Sequence, residues 1–375
     1  MGRPPLVVAD ARGRIERTLV EQLELGRQSG VFPGASASVA LWNGSSWVYV
    51  DQTAGSLSAG EGEVTPTTIY DLASLTKPWV ATAALRLHHR GIFALDAPVH
   101  ALIHEARGLP LGGRSWEAVL SHRAGLRAWL PFYERIPDRG GPAAVEALVI
   151  AELLRHGDAH PEGTAVYSDL GYILTGVAMR RAAGAGLDEI VATEVSAPLG
   201  LEEEVFFGAA RADEPWKLRC APTGRSAWRG RVLRAEVHDD NCAALGGVSG
   251  HAGLFGTAGA MARFGAACVG AWHGRRGASD EALIRHATAP RPGGTHRLGW
   301  DGKAERGSAA GTRIDRSAFG HLGFTGTSIW CDPRRQLVIV LLTNRVVMSD
   351  DNAAIRAFRP VFHDAVIDAF DQAQR

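Results

Sequence analysis

The sequence predicts an α/β protein of the α+β kind, in which N- and C-terminal helices flank an antiparallel sheet and a mainly helical domain is inserted between the chain ends. Three observations predict it. Near the N-terminus, Ile15, Leu19 and Leu23 recur every four residues on one helix face that stops near Gly30. Two strand-like runs follow, Ala35–Trp42 and Ser46–Asp51, joined through Asn43-Gly44, a strong hairpin signal. The C-terminal end mirrors this arrangement. Thr327–Cys331 and Leu337–Thr343 read as strands around the turn Asp332-Pro333-Arg334-Arg335, and a last helix covers about Asn352 to Gln372, with Pro360 as a kink point.

The middle of the chain has a different character. Ala81–Arg90, Ala143–His156, Leu170–Ala183 and Ala258–Trp272 have helical composition or spacing, separated by Gly- and Pro-rich loops. The expected division is a discontinuous α/β domain from residues 1–80 and 240–375, with a mainly helical domain over 81–239 and the active site at their interface. The Gly- and Arg-rich stretches 222–231 and 291–313 read as surface loops.

Composition narrows the function classes. The 375 residues carry 40 Lys+Arg against 40 Asp+Glu, a formal net charge of zero, which argues against a nucleic-acid binder. At 46% hydrophobic residues, the chain is too apolar for a disordered protein. The longest aliphatic run, Leu337–Leu342, is far short of a membrane span. No apolar segment with a small-residue cleavage site follows the N-terminus, so a cytoplasmic location is expected, although a trimmed export signal would leave the same start. Cys220, Cys242, Cys268 and Cys331 are widely spaced and read as reduced core thiols. No cofactor or metal is expected; Val237-His238-Asp239-Asp240-Asn241, with His251 beyond it, lacks a defined ligand set such as H-E-x-x-H.

The basic residues are unevenly divided. Only Lys77, Lys217 and Lys303 are lysines, and Lys77 alone has a serine three residues upstream, in Asp71-Leu72-Ala73-Ser74-Leu75-Thr76-Lys77-Pro78. On a helix, residues three apart share a face, so the amine reaches the hydroxyl. A serine needs a neighbouring base before it is a good nucleophile, and a desolvated lysine can serve as that base or hold a second one deprotonated. Free N–H groups at a helix start also favour developing negative charge, and Pro78 is tolerated there. Two further segments fit this chemistry. Tyr167-Ser168-Asp169 precedes a helix and offers a tyrosine proton shuttle. His321-Leu322-Gly323-Phe324 enters a strand where glycine allows close approach and backbone N–H groups can serve an oxyanion hole.

In this order the three segments resemble the S-x-x-K, Y-x-N and K/H-T-G motifs of the serine β-lactamase and penicillin-binding-protein superfamily, in its class C-like branch of esterases, peptidases and lactamases. Leu120-Ser121-His122-Arg123-Ala124-Gly125-Leu126, Gly250–Phe255 and Leu342-Thr343-Asn344-Arg345 extend the resemblance along most of the chain. It implies a β-lactamase/transpeptidase-like fold. It also implies Ser74 as the acylated nucleophile, Lys77 as its activating partner, Tyr167 as general base, and the N–H groups of Ser74 and Phe324 as the oxyanion hole. Asp169 stands where lactamases carry Asn; a carboxylate there raises the lysine pKa and favours a charged Lys77 that keeps Tyr167 deprotonated. His321 replaces Lys, which weakens the charge that would bind a penicillin carboxylate. His238 and Asp239, in a V-H-D-x-N-A pattern of some relatives, would line the cleft, with structural capping by His238 the alternative. His122 reads as a hydrogen-bonded structural residue.

The expected activity is a serine hydrolase acting on a small-molecule ester, amide or peptide through an acyl-enzyme. The alternatives are a cell-wall muropeptide amidase or D-amino-acid peptidase, a true β-lactamase, or a non-catalytic penicillin-binding-like receptor.

Overall fold

A computed structural model describes residues 5–58, 60–136, 142–211 and 215–374. In chain order its main elements are α1 (Pro5–Gln28), β1 (Gly34–Trp42), β2 (Trp47–Gly55), α2 (Thr76–His89), α3 (Pro142–His156), α4 (Asp169–Ala183), α5 (Ala258–Trp272), α6 (Ala278–Thr288), β3 (Asp301–Gly302), β4 (Phe319–Leu322), β5 (Ser328–Asp332), β6 (Leu337–Thr343) and α7 (Ala353–Gln372). The six strands form one antiparallel sheet in the order β2-β1-β6-β5-β4-β3. Both chain ends therefore build the same sheet, as the mirrored helix and strand signals predict.

The apolar run of β6 is buried at all seven positions because both sheet faces are covered. Alternate side chains separate by face: Leu337, Ile339 and Leu341 pack with α1 and α7, whereas Val338, Val340 and Leu342 pack with α5. On the first face Ile15, Leu19 and Leu23 of α1 are fully buried, in one cluster with Phe358, Phe362 and Val366 of α7. Truncating one such leucine to alanine costs about 2–5 kcal/mol. On the second face α5 lies close to the sheet, since a Cβ at Gly265 would stand 2.6 Å from Val338 Cγ1.

Local turn chemistry sets the strand ends. Asn43 Oδ1 accepts from the backbone N–H groups of Ser45 and Ser46, both at 2.8 Å, and Gly44 takes φ +106°. The turn consumes Ser46, so β2 begins at Trp47 and continues to Gly55, beyond the expected Asp51. Pro360 lies inside α7 without ending it.

Both stretches read as surface loops have more structure than that. Pro222–Ser226 and Arg231–Arg234 form a two-stranded hairpin. Within 291–313, Leu298 and Trp300 are buried and β3 adds a strand to the sheet. Their glycines and arginines hid short pairings that only tertiary contact creates. All four cysteines are buried and free. Among the described residues, no helix is long and apolar enough to cross a membrane.

Candidate active site

The two-residue strand Tyr70–Asp71 leads into a 3₁₀ turn, Ala73–Leu75, that continues as α2. Ser74 thus sits on the tight turn before the helix rather than in its first α-turn. Ala73 is held at φ +48°, a left-handed conformation that costs a non-glycine residue roughly 1–2 kcal/mol. Buried Asp71 holds this entry, accepting from Ala73 N at 2.8 Å through one carboxylate oxygen and from His238 N at 2.7 Å through the other.

Lys77 is fully buried. Its Nζ donates to Ser74 Oγ at 2.8 Å and to the His251 carbonyl at 3.2 Å, and lies 2.7 Å from Asp169 Oδ1. The ammonium thus makes two hydrogen bonds and one ion pair, the Asp169 oxygen lying close to it without an aligned hydrogen bond. The rings of Tyr167 and Tyr172 complete the cage, 4.9 and 5.7 Å from Nζ to their centroids. Asp169 opens α4 under a Ser168 cap, and its N–H donates to the Ala128 carbonyl at 2.9 Å.

Charge in this cage follows from burial and neighbours. Burial lowers the Lys77 pKa, but the Asp169 carboxylate and, behind it, the Tyr167 oxygen outweigh it, so the net direction is upward and Lys77 is an ammonium at neutral pH. Burial pushes the Tyr167 phenol up, and the opposing pull of Lys77 and Ser74 does not reverse it. Both directions favour the protonated forms, an ammonium at Lys77 and a phenol at Tyr167, whereas the expectation from sequence paired a charged Lys77 with a deprotonated Tyr167. A buried anion flanked by the Asp169 carboxylate is too costly despite the adjacent cation.

The third segment closes the site from the sheet. His321, on β4, is buried; its Nδ1 lies 2.9 Å from the Leu322 carbonyl and its ring centroid 6.0 Å from that of Tyr167. Burial, then the Lys77 cation, lower its pKa to about 3, so it faces the cleft as a neutral imidazole. A Cβ at Gly323 would lie 2.0 Å from Thr327 Oγ1 and 2.8 Å from the Leu72 carbonyl, so only glycine permits this approach beside Ser74. Thr325 and Thr327 donate to the carbonyls of Asp71 and Leu72 at 2.8 and 3.1 Å, joining the two segments. Among the described residues, neither the Ser74 nor the Phe324 backbone N–H has a hydrogen-bond partner.

Other candidates take distinct places. The His238 ring lies tilted against Phe324 with centroids 5.3 Å apart, and its Nε2 is 3.2 Å from Asp350 Oδ1. The cap is Asp239, which accepts from Cys242 N at 2.7 Å. Asp239 also pairs with His251 Nε2 at 2.9 Å; burial alone would raise its carboxyl, but His251 and the cap bond bring it down to about 2. His122 accepts from Ser168 N at 3.0 Å through Nδ1, a positioning bond for the Tyr167 segment.

Sequence reasoning missed His296, whose ring lies 5.7 Å from Tyr167 and 5.2 Å from His122. It also missed an aromatic group of Trp129, Tyr133 and Trp228, with centroids 6.2 and 5.4 Å apart. Trp129 and Tyr133 lie four residues apart in one connecting segment, but Trp228 comes from the distant hairpin of residues 222–234, and no local spacing ties the three together.

The overall arrangement is that of solved class C β-lactamases. The structure of the class C β-lactamase from Rhodobacter sphaeroides superposes with a TM-score of 0.70 at 18% identity, covering 92% of this chain and 99% of that one. A β-lactamase from Sulfitobacter sp. EE-36 gives 0.73 at 18% identity, covering 97% and 99%. Residues 15–359 match the Beta-lactamase family model, and the chain belongs to that family. Among its relatives, a protein of Salmonella paratyphi A provisionally named D-alanyl-D-alanine carboxypeptidase is 28% identical over 323 residues, covering 80% of this chain and 74% of the relative. A protein of the same provisional name from Escherichia coli K12 is 27% identical over 305 residues, covering 76% and 70%.

Proposed function

We propose that the protein is a serine hydrolase that cleaves a small-molecule ester, amide or peptide through an acyl-enzyme on Ser74. The observation that carries this reading is the 2.8 Å bond from fully buried Lys77 Nζ to Ser74 Oγ, beside Tyr167. Ser74 Oγ attacks the acyl carbon as its proton passes to the Tyr167 oxygen. The phenol proton passes to the leaving oxygen or nitrogen, whose bond to carbon breaks. Tyr167 gives up its own proton as it takes that of Ser74 and so carries no net charge, and the Lys77 ammonium, protonated throughout, favours loss of the phenol proton over gain of a second one. Water then attacks the acyl carbon, its proton going to Tyr167; the bond from the acyl carbon to Ser74 Oγ breaks, the Tyr167 proton returns to Oγ, and the carboxylic acid leaves. The N–H groups of Ser74 and Phe324 receive the carbonyl oxygen as it becomes anionic.

The second reading is a peptidase or amidase acting on a D-alanyl bond, favoured by the names of the relatives. A true β-lactamase is disfavoured because neutral His321 brings no fixed positive charge to a penicillin carboxylate. The substrate cleft lies between an α/β part, residues 1–80 and 240–375, and a mainly helical part, 81–239; Ser74 and His321 come from the first, Tyr167 and Asp169 from the second. Four buried free thiols support a reducing compartment such as the cytoplasm.

A fluorophosphonate probe tests the class: labelling should occur in wild type and vanish in Ser74→Ala, and no labelling of folded wild type would refute it. A panel of nitrophenyl esters, D-alanyl amides, muropeptides and a chromogenic cephalosporin then ranks the substrates. Turnover of the cephalosporin far above the rest would make the protein a true β-lactamase and reverse this preference.

A further inference from the structure

We infer that Arg359 is a positioning residue that strengthens the Phe324 N–H as an oxyanion donor, acting through the single peptide unit that carries both the Gly323 carbonyl and that N–H. The inference rests on the acyl-enzyme reading above and extends it to a residue of the C-terminal helix outside all three motifs.

Arg359 projects from α7 into the protein and is only 5% exposed. Its Nη2 donates to the Gly323 and Thr327 carbonyls, both at 2.7 Å. Among the described residues no carboxylate forms an ion pair with it, and the one neighbouring charge that shifts it is another cation, Arg345. A buried cation without a counter-charge is expensive, and the two carbonyl dipoles are its compensation. Purely as packing, an apolar side chain of similar volume would serve α7 at least as well.

The placement of the charge accounts for the arginine. A cation at the Gly323 oxygen draws electron density along the amide, leaving the Phe324 N–H more positive. Guanidinium, carbonyl, amide N–H and reacting oxygen form one polarised chain. Gly326 N adds a weaker bond to the same oxygen at 3.2 Å. Arg345 Nε donates to the Phe324 carbonyl at 3.1 Å and holds the following peptide, so the Phe324 amide is fixed from both sides. The charge of Arg359 also reaches His321 across the strand, which places it within electrostatic range of the cleft.

The test compares wild type, Arg359→Gln and Arg359→Lys by kcat and KM on a nitrophenyl ester, by melting temperature, and by the infrared carbonyl band of a ¹³C-labelled acyl-enzyme. Loss of a whole oxyanion donor costs about 10²–10³ in kcat, so weakening one predicts a fall of about tenfold in Arg359→Gln. KM should stay within about twofold, because the interaction strengthens only in the transition state. The acyl carbonyl band should move to higher frequency. Arg359→Lys, which keeps the charge, should recover part of both changes, and it carries the test alone if the glutamine variant does not fold. Unchanged kcat and band in folded variants, or a raised KM with kcat preserved, would overturn the role of Arg359 alone. A wild type that forms no acyl-enzyme would overturn the hydrolase reading and this role with it.

Discussion

Replacing Lys77 with arginine preserves formal charge and removes what the cage requires. Nζ has three oxygen neighbours within 3.2 Å and no exposed side-chain surface. A guanidinium is planar and bulkier, and cannot place one point of charge among three converging acceptors. Forcing it in costs about 1–3 kcal/mol of stability by overpacking. The catalytic cost is larger, because misplacing the Ser74–Tyr167 proton path forfeits about 10²–10⁴ of general acid–base catalysis. Lys77→Arg should therefore melt only a few degrees below wild type while kcat/KM for a nitrophenyl ester falls by about three orders of magnitude. Circular dichroism and initial-rate kinetics on the same preparation separate the two effects. Turnover near wild type would remove Lys77 from the mechanism.

The same geometry sets three other outcomes. Asp169→Asn removes the largest influence holding the Lys77 pKa up, so the alkaline limb of the kcat/KM profile should move to lower pH; an unmoved limb would exclude Lys77 as the titrating group. Gly323→Ala places a methyl group against Thr327 Oγ1 and the Leu72 carbonyl, and should cut kcat by about 10² by displacing an oxyanion donor, as read in a stopped assay beside a melting curve. His122, His321 and His363 are buried with folded pKa values below their unfolded ones, mainly through desolvation. The unfolded chain then binds more protons between about pH 6.5 and the depressed folded values. Stability should fall as pH drops through that window, by about 1.4 kcal/mol at each site for every tenfold loss of proton affinity on folding, and denaturant melts at pH 7 and pH 4.5 measure it. Equal stability at the two pH values would show that these imidazoles are not held neutral by burial.

How much was legible depended on the distance over which each signal acts. Ser74 and Lys77 announce themselves because their contact is set by three residues of local chain. The Asn43 turn is similarly local, since its side chain bonds the two residues that reverse direction. The β6 run showed a strand but not its two-sided burial, which depends on α1, α5 and α7 converging from distant sequence. Tyr167 was legible through motif order, yet its protonation was not: burial inside the folded cage decides that, and a motif records no solvent. His296 and Arg359 were invisible for the same reason. One sits in a glycine-rich stretch and the other in an amphipathic helix, and each gains meaning only from a partner supplied by the fold.

Mass spectrometry of the intact protein, quenched in acid during turnover of a slowly released ester, tests the central claim most directly. The expected result is a covalent adduct of one acyl group that maps to Ser74 after digestion and is absent in Ser74→Ala. Turnover with no adduct under rapid quenching, or an adduct on any other residue that persists in Ser74→Ala, would contradict it.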